Sequence, residues 1–224
     1  MKKLKDFYKS HRVGASVGKT LLWIWVREDL PQMKGDLGVD LAGGSMLTKR
    51  FFSTKKYISV DIDKKKLDLG RGRNLDAGTL NIKIQDFLKD EKKAAPDVLV
   101  CLQTMGTNKF FEHEETVDTV DAMCKSLKAG GGMVFNVGSK SVDLNAIEIR
   151  LSALLAGKFK SVKIKHYGAM HITQEKRLPG PVILILAYSM NAFPPLRTLF
   201  GFKRKKIYYC CNGKLDVDSS RAES

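Results

Sequence analysis

The sequence predicts an α/β protein built on a doubly wound, mainly parallel sheet of seven strands, and three observations carry that expectation. Short apolar runs alternate with helix-like stretches along most of the chain. The run Asp97-Val98-Leu99-Val100-Cys101-Leu102 is apolar throughout after its acid, as a strand covered on both faces requires. Two further runs end in acids, Asp40 and Asp61, about twenty residues apart, and glycines follow the first at once. Such sheets bring backbone N–H groups and a carboxylate to a nucleotide-like ligand in this way.

Taken in order, Ser16 to Leu30 places Val17, Leu21, Leu22, Ile24, Trp25 and Val26 in a helix that Pro31 stops. Leu37 to Leu41 reads as the first strand, Tyr57 to Ile62 as the second and Leu80 to Ile84 as the third, closed by Gln85-Asp86. Lys64 to Leu69 opens a loop or short helix between the second and third. After the fourth strand, Thr116 to Leu127 sets Val117, Val120, Met123, Cys124 and Leu127 on one side of a helix. Gly130-Gly131-Gly132 turns the chain into a fifth strand, Met133 to Val137, and Leu144 to Leu155 is another amphipathic helix. Val162 to Tyr167 and Val182 to Tyr188 read as a final strand pair, joined without a helix and so forming an antiparallel edge. Asp216 to Ser224 reads as a frayed tail.

At 224 residues, with 43% apolar content, the chain is long enough for one well-filled core. No run approaches the ~20 apolar residues that span a bilayer. The opening Met1-Lys2-Lys3-Leu4-Lys5-Asp6 lacks the apolar stretch of a secretory signal. Cys101, Cys124, Cys210 and Cys211 show no metal-ligand spacing, so no metal site is predicted; Cys101 sits in a strand as a reduced thiol, and a cytoplasmic location is expected. The net charge of +15 is spread over Lys55-Lys56, Lys64-Lys65-Lys66, Lys92-Lys93 and Lys203-Arg204-Lys205-Lys206. It fits either a solvated surface or an anionic partner, nucleic acid or membrane.

Asp40-Leu41-Ala42-Gly43-Gly44-Ser45-Met46 resembles the first motif of the class I S-adenosylmethionine (SAM) dependent methyltransferases, an acid followed by three glycines at alternate positions. Asp61 matches the acid that ends their second strand, Asp86 the acid after the third, and Leu127-Lys128-Ala129-Gly130-Gly131-Gly132 their turn before the fifth. The resemblance covers roughly Leu37 to Tyr188 and implies a Rossmann-like methyltransferase domain over residues 37–212, a basic segment with a lid or packing helix over 1–36, and a flexible tail over 213–224. Ala42 and Met46 replace the first and third glycines. The methyl of Ala42 is tolerable at negative φ, whereas Met46 crowds the helix start.

The resemblance implies roles. Asp40, Ala42, Gly43 and Gly44 would let the main chain approach the amino-acid tail and ribose of SAM; Asp61 would accept from the ribose hydroxyls. Asp86 would take the adenine amino group with Phe87 or Ile62 against the ring, and Gln103 and Thr104 would line the methyl's channel. His113, His166 and His171 are the candidate bases. Trp23 and Trp25 form either a lid or a packed helix. Phe193 to Phe202, beside Lys203-Arg204-Lys205-Lys206, suits a peripheral membrane contact or a substrate loop over the sheet edge.

Other motifs fall away. Gly14-Ala15-Ser16-Val17-Gly18-Lys19-Thr20 has three residues between its glycines where a phosphate-binding loop has four. Gln103 to Asn108 lacks the paired prolines of amino-methylating nucleic-acid enzymes. The expectation is a methyltransferase acting on a small-molecule or a lipid- or sugar-linked acceptor. A nucleic-acid methyltransferase and a non-catalytic SAM-binding protein are the alternatives.

Overall fold

A computed structural model describes residues 16–90, 94–106, 113–139, 142–169, 178–200 and 203–215. The strands are β1 Lys34–Leu41, β2 Ser53–Val60, β3 Gly78–Leu80, β4 Val98–Cys101, β5 Gly132–Gly138, β6 Phe159–Ala169 and β7 Lys203–Lys214. The helices are α1 Val17–Asp29, α2 Lys64–Arg71, α3 Ile84–Lys89, α4 His113–Ser126, α5 Leu144–Leu155, α6 Gly180–Ala192 and α7 Pro195–Leu199. They form one seven-stranded sheet in the order β3-β2-β1-β4-β5-β7-β6, parallel from β3 through β5. β7 alone runs against its neighbours β5 and β6. The antiparallel strand is thus second from the edge, and the order reverses at β1, where β4 lies on its other side.

Alternation along the strands divides the core in two. Val39, Leu41, Leu99, Cys101, Phe135 and Tyr209 face α3, α4 and α5, where Phe87, Met123, Ile147 and Leu151 cover them. Val98, Val100, Val134 and Tyr208 face the opposite way, under α1 and α6. β4 is buried at every position, which explains its uninterrupted apolar run.

α1 begins where the Ser16 side chain accepts from the Lys19 N–H, and Pro31 closes its C-terminal end in a short 3₁₀ turn. Both tryptophans are core residues rather than a lid. Several contacts fix the inner one: the Trp25 ring meets Tyr167 edge-on at 5.7 Å and Tyr208 at 5.5 Å, and its Nε1 donates to Asn191 Oδ1 at 2.6 Å, which ties α1 to α6.

Three expectations are corrected. β3 ends at Leu80, and Ile84 already opens α3, so Asp86 lies inside a helix. Val182 to Tyr188 is helical, not a strand: α6 buries Ile183, Leu184, Ala187 and Met190 at helical spacing against α1 and leaves Ile185 outward. The seventh strand is instead β7, whose Lys203–Lys206 start is part of the sheet, and within the stretch Phe193 to Phe202 expected as a membrane contact or loop, Pro195–Leu199 is the short helix α7. β7 also runs to Lys214, past the boundary expected for the tail; Asp216 to Ser224 lies outside the described residues. Among the described residues no helix is long and apolar enough to cross a membrane.

Candidate functional site

The site is built on the turn that follows β1. Ala42 and Met46 both have φ 56°, and Gly44 has φ 48°. The negative φ expected for Ala42 is therefore overturned, and its side chain carries left-handed strain of about 1–2 kcal/mol. A Cβ added at Gly43 would stand 2.8 Å from Asp40 Cγ and 2.5 Å from Ser59 Oγ, so the turn lies directly on the strands beneath it.

Asp40 is 2% exposed and accepts from the Thr48 hydroxyl and, at 3.0 Å, from the Tyr57 hydroxyl. Burial lifts its pKa to about 7, against the two hydrogen bonds that favour the ionised form. Asp40 thereby pins the connection to β2 from below and lines neither of the cavities described next. No α-helix follows the turn, only the 3₁₀ turn Lys49–Phe51, so Met46 has no helix start to crowd. Its side chain is buried with Tyr57, Leu67 and Ala77 and does not block the cleft.

An apolar cleft of about 340 Å³ opens at the carboxyl ends of β1 and β2. Ala42, Asp61, Ile62 and Thr104 line it, together with Ile82, Lys83, Ile84 and Gln85 from the connection between β3 and α3. Among the described residues Asp61 is the only acid in this wall. Its N–H donates to Leu80 O at 3.1 Å and its Oδ1 accepts from the Asp63 N–H at 2.8 Å, which orients the carboxylate. A Cβ added at Gly44 would stand 3.4 Å from Asp61 Oδ2, so this glycine leaves space beside that oxygen. Ile62 is 68% exposed at the rim. Asp86 is exposed on α3 and Phe87 is buried in the core; neither lines the cleft, because the shorter β3 carries them one helical turn beyond its end. Gln85, Ile82 and Ile84 occupy the places that the strand boundary had assigned elsewhere. The polar Asn81 after Leu80 is the one local sign of that earlier strand end.

A second cavity, of about 220 Å³, lies on the other side of the β4 end. Ser16, Gly18, Lys19 and Leu22 of the α1 start form one wall. Tyr167 and Gly168 of β6 and Lys205 and Lys206 of β7 form the other, with Gln103 between them. Gln103 is held at φ 60°, and its N–H donates to the buried Asn136 Oδ1 at 2.7 Å. Thr104 Oγ1 donates to Leu102 O at 3.2 Å. Consecutive residues thus serve different cavities, Gln103 the second and Thr104 the first.

The histidines stand apart. His113 opens α4 and lines neither cavity. His166 Nε2 lies 2.9 Å from Glu148 Oε1 and also lines neither. His171 lies outside the described residues.

No protein-family model and no curated protein matches this chain. Solved structures do. N-methyltransferase NodS from Bradyrhizobium japonicum WM9 superposes with a TM-score of 0.54 at 11% identity, covering 88% of this chain and 94% of that one. The plantazolicin methyltransferase BamL, solved with a triazolic desmethylPZN analog and SAH, gives 0.55 at 8% identity over 95% and 91% of the two chains. The plantazolicin methyltransferase BpumL gives 0.52 at 12% identity over 80% and 77%. At these identities the likeness speaks to architecture. Strand order, the reversed β7 and the full-length superpositions agree on one conclusion: the chain has the Rossmann-like fold of the class I SAM-dependent methyltransferases.

Proposed function

We propose that this protein is a SAM-dependent methyltransferase that holds the donor in the cleft beside Asp61 and acts on a small-molecule acceptor. The observation that carries the reading is Asp61 itself: one oriented carboxylate in a mainly apolar cleft, facing a glycine turn at the carboxyl ends of parallel strands. The chemistry of that wall fits an adenosine. Ile62, Ile82 and Ile84 offer apolar surface to a purine, Gln85 offers an amide to its edge, and Asp61 offers acceptor oxygens to a ribose diol. Several of the solved neighbours hold SAH, the demethylated donor.

Bound there, SAM supplies a methyl group made electrophilic by its sulfonium sulfur. The chain's own contribution is position. Gln103 and Thr104, at the β4 end, separate the two cavities, and the strained Gln103 backbone is held by Asn136. Alignment of an acceptor in the second cavity with a donor in the first is the main source of rate in such an arrangement. The described histidines lie off both cavities, so the reading assigns neither His113 nor His166 as base.

The test is a calorimetric titration with SAH. The wild-type chain binds with one site, and Asp61→Ala weakens binding by more than about tenfold, equivalent to the loss of charge-assisted hydrogen bonds. An unchanged dissociation constant in a folded Asp61→Ala protein refutes the assignment.

A further inference from the structure

We propose that the second cavity is a phosphate-binding acceptor subsite, which recognises the phosphate monoester of a small methyl acceptor. The inference rests on the methyltransferase reading for the word acceptor, but its geometry stands alone. Lys19, Lys205 and Lys206 line the cavity, and among the described residues no acid does. Among the described residues Lys19 and Lys205 make no ion pair, although acids elsewhere on the surface are mostly paired.

The start of α1 points the same way. Ser16, Gly18 and Lys19 are its first turn, the helix is 13 residues long, and that turn contains no acid to offset the positive end of its dipole. Gly18 permits this placement, since a Cβ there would stand 1.8 Å from Gly168 O, at the point where the pairing of β6 with β7 shifts register. Only a bare backbone lets the helix start come so close to β6.

An independent observation indicates a missing partner. Tyr167, in the wall of the cavity, is 2% exposed, and its hydroxyl has no hydrogen-bond partner. A buried phenol left unbonded is disfavoured, and an acceptor oxygen bound in the cavity would satisfy it. Lys206 Nζ lies 5.9 Å from the centre of the same ring.

The donors select phosphate over carboxylate. Three ammonium groups, a helix start and a phenol would surround a compact multivalent anion, whereas among the described residues no arginine stands in the wall to grip a carboxylate bidentately. At about 220 Å³ the space equals roughly seven waters of liquid volume, enough for a phosphate and a few further atoms. That size favours a small monoester over a polynucleotide strand.

Inorganic phosphate is the probe, titrated calorimetrically into the full chain at low ionic strength, with SAH titrated in parallel. The expected result is saturable one-site phosphate binding. Lys19→Gln combined with Lys205→Gln weakens it at least about tenfold, and Tyr167→Phe, which keeps the ring, weakens it about fivefold. SAH affinity is unchanged in both variants, which also shows that they are folded. Phosphate binding that does not saturate, or that ignores both variants, overturns the proposal. So does tight, steeply salt-dependent binding of a single-stranded oligonucleotide that phosphate fails to displace. The two readings fail separately: SAH binding without phosphate binding removes the subsite alone, and phosphate binding without SAH removes the methyltransferase reading and leaves an anion site.

Discussion

The two cavities share the end of β4 and differ in everything else. Among the described residues, one is mainly apolar with a single acid, Asp61, and one lysine, Lys83; the other is lined by three lysines and no acid. The first is roofed by a turn, and the second is walled by a helix start and the ends of β6 and β7. On the proposed reading, one sheet serves two ligands of opposite demand. Strand ends on the β1–β3 side supply surface for a flat, largely neutral group, and the β6–β7 side supplies charge. The backbone at the boundary is strained: Ala42 on one side and Gln103 on the other both sit at positive φ.

The difference can be broken one side at a time. The largest effect is expected at the helix start, where Gly18→Ala forces a Cβ onto the Gly168 carbonyl and costs about 3 kcal/mol. Denaturant unfolding measures it. SAH binding by the folded fraction persists, because the change lies in the charged wall; equal loss of both ligands would show that the cavities are not separable.

Next comes the acid beneath the apolar cleft. The folded pKa of Asp40, about 7, lies above its ordinary 3.8, so the folded chain holds this proton more tightly than the unfolded one. Its contribution is therefore full below about pH 4 and is lost as pH rises to about 7. Stability is expected to fall by roughly 2 kcal/mol between about pH 5 and pH 8, and Asp40→Asn, which still accepts from Thr48 and Tyr57, flattens that slope. An unaltered slope in the variant places the proton elsewhere.

Smaller effects separate two of the turn's three left-handed positions, Gly44 and Ala42. Gly44→Ala, at φ 48° and beside Asp61, is expected to cost about 1 kcal/mol and to weaken SAH. Ala42→Gly relieves strain and is expected to raise stability by a few tenths to about 1 kcal/mol with SAH binding retained. A loss of stability at Ala42→Gly would show that the methyl's packing outweighs its backbone strain.

The same division governs what was legible in the sequence. β4 and β5 are buried at every position, and β1 and β2 are largely covered over their second halves, so these apolar runs stand out. Val182 to Tyr188 is also apolar, and a short run of that kind does not by itself distinguish strand from buried helix; packing on α1 decided for helix. β7 was concealed by the four basic residues at its start, of which Lys205 and Lys206 line the second cavity. In the site, Asp61, Ala42, Ile62 and Thr104 were readable because a strand end and a glycine turn place them. Asp86 and Phe87 were displaced by the early end of β3, and the same shift hid Ile82 to Gln85. The lysine cavity had no linear signature, since α1, β4, β6 and β7 meet there only in the fold.

A crystal structure of the chain soaked with SAH tests the central claim most directly. The account predicts adenosine against Ile62, Ile82 and Ile84, with its ribose hydroxyls on the Asp61 carboxylate and its sulfur toward Gln103 and Thr104. Density for the ligand elsewhere, or a cleft that stays vacant at saturating SAH, would contradict it.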